Sequence, residues 1–168
     1  QGGGQIVSVM GEAGLGKSRL IAEARLSALA GAENGSSNGA SGDSRLQWYE
    51  GRSRSYETAN PFTPFVSLFA DYFQLSLDDT DQERYSKITR RLGELIPEGP
   101  TAAAPFMATM MEIPVPEEDC EHIQYLQPPQ IREKIFGVTR EIIEREATRH
   151  PLLLVFEDVH WSDPTSLD

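Results

Sequence analysis

Gly11-Glu12-Ala13-Gly14-Leu15-Gly16-Lys17-Ser18 spaces three glycines ahead of a lysine and a hydroxyl. This is the G-x-x-x-x-G-K-[ST] pattern, and its chemistry suits a group rich in anionic oxygens. Glycine at 11, 14 and 16 lets the backbone turn tightly and approach closely, so that successive N–H groups face into the loop. Lys17 adds a mobile positive charge for β- and γ-phosphate oxygens, and Ser18 a hydroxyl able to ligate Mg²⁺. The binding set read from this segment is Gly11, Glu12, Ala13, Gly14, Leu15, Gly16, Lys17, Ser18 and Arg19, with Lys17 also acting on the reacting phosphate. Working outward, Gln5–Met10 reads as a buried strand, while Leu20, Ile21, Ala24 and Ala28 recur at helical spacing. A helix starting beside the loop brings its positive dipole end to the same place.

A second stretch, Pro151-Leu152-Leu153-Leu154-Val155-Phe156-Glu157-Asp158, is an apolar run closed by two acids. Such a run predicts a central strand of a parallel sheet covered on both faces. Ligands of such sheets lie at the carboxyl ends of the strands, where Glu157 and Asp158 stand. One acid would hold Mg²⁺, directly or through water, and the other would orient and activate an attacking water.

Together, Gly11 to Leu20 and Leu152 to Leu167 resemble the two nucleotide-site segments, Walker A and Walker B, of a P-loop NTPase. More narrowly, they are similar to the AAA/STAND-type ATPase domain of bacterial signalling proteins, which accompanies class III adenylate/guanylate cyclases, LuxR-type regulators and helical-repeat arrays. The resemblance implies a three-layer α/β/α fold on a parallel sheet, ATP and Mg²⁺ as ligands, and a switch driven by binding and hydrolysis. It also implies attached output or sensor domains, and it leaves a homo-oligomer open. The commonest members place Asp before Glu, whereas this chain has Glu157 before Asp158. By position Glu157 joins Ser18 as the metal-side acid, and Asp158 is the water-side catalytic acid. Its side chain is shorter by one methylene, which predicts slow turnover.

The family's sensor strand would come after residue 168, between the two site-bearing strands, and the segment that precedes the first strand would come before Gln1. The chain therefore reads as one partial domain over 1–168, cut at both ends from a larger protein. Within it, 32–44 reads as a flexible Gly/Ser/Asn-rich insertion. A mainly helical insertion over 53–150 separates the second strand from the acid-pair strand.

That second strand is Arg45–Gly51, followed by Arg52 and Arg54, which could reach phosphates but read first as solvated loop charges. Phe62, Phe65, Val66, Phe69, Tyr72 and Phe73 predict an amphipathic helix over Pro61–Phe73 whose aromatic face packs in a core. Thr80 to Glu83 has capping-box spacing ahead of Tyr85, Ile88, Leu92 and Leu95. A short helix over Thr101–Met111 follows, its methionines filling core gaps. A longer helix carries Ile131, Ile135, Val138 and Ile142 and stops at His150-Pro151. Asp163-Pro164 reads as an N-cap with proline at the first helical position, and Trp161 as an anchor for the turn before it.

The 168 residues, 39% apolar and 24% charged, are ordinary for a globular domain with one sizeable core. Lys and Arg total 15 against 26 Asp and Glu, a net charge of −11, which disfavours nucleic acid as a direct partner. No apolar run approaches membrane-spanning length, so no membrane contact is expected. Cys120, the single cysteine, fits a reducing cytoplasm. Three other readings compete with a hydrolase. A nucleotide-gated switch with little turnover needs the same loop, a small-molecule kinase is disfavoured by the acid pair on a buried strand, and a GTPase lacks an N-K-x-D signature.

Overall fold

In the computed structural model, which describes residues 4–12, 14–34, 46–53, 61–97 and 99–167, the acid-bearing run is a strand with a single described neighbour. That strand, β2 (Leu152–Glu157), pairs in parallel with β1 (Gln47–Arg52). The register sets Gln47 opposite Leu152 and Arg52 opposite Glu157. Backbone bonds continue at both ends, from Gln47 N–H to Pro151 O at 2.9 Å and from Ser53 N–H to Glu157 O at 3.2 Å. Strand β1 thus starts later and ends one residue further than the expected Arg45–Gly51; Arg45 and Arg54 lie outside the described residues.

A parallel pair needs a crossover connection, and here it is helical. The connection holds α2 (Thr63–Tyr72), α3 (Asp81–Leu95), α4 (Pro100–Met110), a 3-10 turn at Glu117–His122 and α5 (Pro128–Arg149). Each start has a local cause. Thr80 caps α3, its Oγ1 accepting from Glu83 N–H while Glu83 Oε2 accepts from Thr80 N–H at 2.8 Å. At α5 the Gln130 side chain accepts from Gln127 N–H at 2.8 Å, just before Pro128. Phe62, ahead of α2, holds a left-handed φ of 64°; its buried ring meets Phe136 edge-on at 5.6 Å, a burial that offsets the local strain.

The chain divides into two compact units, Gln1–Leu46 and Gln47–Asp168. The second unit holds the core, in which the expected apolar faces meet. Leu68, Phe69, Tyr72 and Phe73 of α2 join Tyr85, Ile88, Leu92 and Leu95 of α3, with Ala104, Met107 and Met110 of α4 and Ile135 and Ile142 of α5. A polar network is buried among them. Tyr72 OH donates to Glu146 Oε1 at 2.7 Å, Arg91 Nη2 donates to the same oxygen at 3.2 Å, and the guanidinium lies 5.0 Å from the Tyr72 ring centroid. Tyr49 of β1 meets Tyr72 edge-on at 5.5 Å, so the network links the sheet to three helices.

Two sequence expectations are corrected. Strand β2 is half-buried over 152–156 instead of covered on both faces, because the described sheet has two strands and β2 is an edge in it. The run Gln5–Met10 forms no strand: Ile6 is 100%, Val7 81% and Met10 89% exposed. An apolar run becomes a strand only where a neighbour satisfies its backbone groups, and no described segment pairs with it. Among its described residues the first unit otherwise holds the glycine loop and α1 (Lys17–Asn34), which runs into the start of the stretch expected as an insertion. Residues 35–44 of that stretch lie outside the described residues.

Candidate nucleotide site

The glycine loop belongs to the first unit. Gly14 and Gly16 both take φ of +84°, in the left-handed region that side chains resist. Nothing lies within 4 Å of where a Cβ would sit on either, so the backbone angle alone demands glycine there. The chain turns at Leu15, whose N–H reaches Glu12 O at 3.5 Å, and α1 takes hold with Leu20 N–H on Gly16 O at 2.9 Å. Helix α1 starts at Lys17, so the amides of Lys17, Ser18 and Arg19 belong to the first turn, whose N–H groups have no intrahelical acceptor. Lys17 Nζ folds back and donates to Gly11 O and Glu12 O, each at 2.8 Å. A mobile ammonium beside a glycine-rich turn and a helix start is chemistry that suits an anion. Ala13 lies outside the described residues.

The acid pair belongs to the second unit. Glu157 ends β2 with its side chain 9% exposed, and Arg52 Nη2 donates to its Oε1 at 2.7 Å. The Arg52 pKa is raised, first by that hydrogen bond and then by the Glu157 charge. Arg52 is therefore a strand-end residue in an ion pair, which corrects its reading as a solvated loop charge. Its partner lies across the sheet and far along the chain, where no local pattern shows it.

Asp158 is exposed and left-handed, with φ 57° and ψ 36°. This turns the chain off the strand into a 3-10 turn at Val159–Trp161, closed by Trp161 N–H on Asp158 O at 2.8 Å. Behind the turn, buried Ser53 shares a 2.7 Å hydroxyl bond with Ser162. Asp163 caps α6 (Pro164–Leu167), accepting from Ser166 N–H at 3.0 Å, so its carboxylate is used structurally, as the sequence predicts. His160 and Trp161 rings stand 4.9 Å apart, and Trp161 remains 42% exposed, a looser anchor than expected.

The Glu157 carboxylate alone fits a Mg²⁺ that a nucleotide and water would largely hold. Mg²⁺ in nucleotide sites takes one or two protein oxygens and completes its shell with phosphate and water. One carboxylate at a strand end meets that demand, whereas a resident metal held by protein alone needs more; no cluster of three His, Cys, Asp or Glu is placed for it among the described residues. No helix of the described residues is long and apolar enough to cross a membrane.

A family model described as an AAA ATPase domain matches residues 1–168. No curated protein matches the chain. No solved structure does either.

Proposed function

Because the chain belongs to the AAA ATPase domain family, we propose that it binds ATP with Mg²⁺ through residues 11–19, hydrolyses it, and so acts as a switch for attached domains. The observation that carries this reading is the loop itself: two glycines at φ +84° and Lys17 Nζ folded over Gly11 and Glu12. Bound Mg²⁺ supplies charge neutralisation at the β- and γ-phosphate oxygens. In this reading the loop amides surround the β-phosphate, and Lys17 exchanges its two carbonyl partners for phosphate oxygens. Ser18 Oγ and a Glu157 carboxylate oxygen serve the cation. Asp158 orients a water and accepts its proton. The attached partners are of the cyclase, DNA-binding or helical-repeat kinds, and assembly is into a homo-oligomer.

Calorimetric titration with ATP and a phosphate-release assay, both on the intact protein, test this. Lys17→Ala is expected to weaken ATP binding by about 10- to 100-fold, the worth of lost hydrogen bonds to a charged group. Its thermal midpoint should stay near that of the parent, since Lys17 bonds only to its own loop among the contacts described. Equal ATP affinity in variant and parent overturns the site. A second reading, a nucleotide-gated switch with little turnover, is favoured by the engagement of Glu157 with Arg52 and by the short Asp158. Tight ATP binding without phosphate release selects it.

A further inference from the structure

The last residues of two parallel strands carry opposite charges, and the register sets them face to face. The two members of this pair differ sharply in exposure: the Glu157 side chain is 9% exposed and that of Arg52 is 51% exposed. The carboxylate is fixed in place, while the guanidinium approaches it from solvent. The strand ends do not depend on the side-chain bond. Arg52 N–H donates to Ser67 Oγ at 2.9 Å, Ser67 Oγ donates to Pro64 O at 3.1 Å, and Ser53 N–H donates to Glu157 O at 3.2 Å. Arg52 can therefore swing away from Glu157 with the backbone of both strands still tied.

We propose that Arg52 is a positioning residue that competes with the divalent cation for Glu157, occupying Oε1 in the absence of metal and turning to solvent when the cation arrives. The inference rests on the reading of Glu157 as a cation ligand given above. A guanidinium 2.7 Å from the oxygen and a Mg²⁺ about 2.1 Å from the same carboxylate repel each other, and burial weakens the screening between them. A buried carboxylate is costly to hold without a countercharge, and Arg52 supplies one in the absence of the cation. The exchange makes cation loading and release of the Arg52 side chain one event at the end of β1.

The test is a Mn²⁺ titration of the intact protein at saturating ATP, with free Mn²⁺ read by electron paramagnetic resonance. Arg52→Gln is expected to lower the Mn²⁺ half-saturation about tenfold, because the competing Arg52 charge is removed, and Arg52→Lys by less, because a charge remains without the planar fork. Tightening of this kind separates competition from structural damage, which weakens binding. If Arg52→Gln fails to fold by circular dichroism, Arg52→Lys carries the same comparison. Unchanged or weaker Mn²⁺ binding in the folded variants overturns the proposal. Glu157→Gln locates the failure: if it weakens Mn²⁺ binding while the Arg52 variants leave it unchanged, only the competition falls. If Glu157→Gln also leaves binding unchanged, the cation role of Glu157 falls with it.

Discussion

Asp158 occupies a backbone conformation that few residues tolerate, and the choice of side chain there is narrow. Aspartate and asparagine enter the left-handed region more readily than most others, so Asp158→Asn keeps the turn while removing the negative charge. The variant should bind Mg-ATP within about twofold of the parent yet release phosphate at least about 100-fold more slowly, the usual worth of a general base. Parallel calorimetry and phosphate-release rates check this, and unchanged turnover would remove Asp158 from the mechanism. The same residue shows what a linear sequence conveys well. Its place after an apolar run is visible, but its left-handed φ and the pairing of its neighbour Glu157 with Arg52 come from packing between strands 105 residues apart.

Strand β1 and helix α2 approach each other so closely that one position admits only glycine. A Cβ on Gly51 would sit 2.3 Å from Pro64 O and 3.0 Å from the Phe156 ring. Gly51→Ala should therefore cost about 1–3 kcal/mol, as overpacking does, and urea midpoints of variant and parent would show it. An equal midpoint would mean that α2 moves off the sheet at little cost. Elements with local signals were legible: α3 from Thr80 and Glu83, α5 from its isoleucine spacing and the Pro151 stop, and β2 from its apolar run. Gln5–Met10 has equally strong strand composition and forms none, because a strand requires a partner ladder that composition does not encode. The glycine loop was legible for the opposite reason, since its φ angles and the Lys17 contacts arise within the segment itself. Arg52 was misread because its role depends on register alone.

Across the second unit, the network of Tyr72, Glu146 and Arg91 ties sheet and helices through groups that titrate. The Tyr72 hydroxyl is raised above its ordinary value of 10.0, first by burial and then by its bond to Glu146. Tyr85 is raised as well, by burial and by its bond to Asp119. A folded-state pKa above the unfolded one adds stability that is complete below about pH 10 and lost above it, as the unfolded chain ionises first. Urea midpoints should accordingly fall from about pH 10 to 11, and Tyr72→Phe should flatten that fall while lowering the midpoint at pH 8. Equal slopes in variant and parent would place the alkaline sensitivity elsewhere. The parallel pairing of Gln47–Arg52 with Leu152–Glu157 also sets an order of events during synthesis. The first strand leaves the ribosome roughly a hundred residues before its partner, an interval of at least about five seconds at ordinary elongation rates. Helices α3 and α4, which pack on one another, emerge within that interval and are free to assemble before the ladder closes. A nascent chain halted before Leu152 thus owns the glycine loop but neither Glu157 nor Asp158.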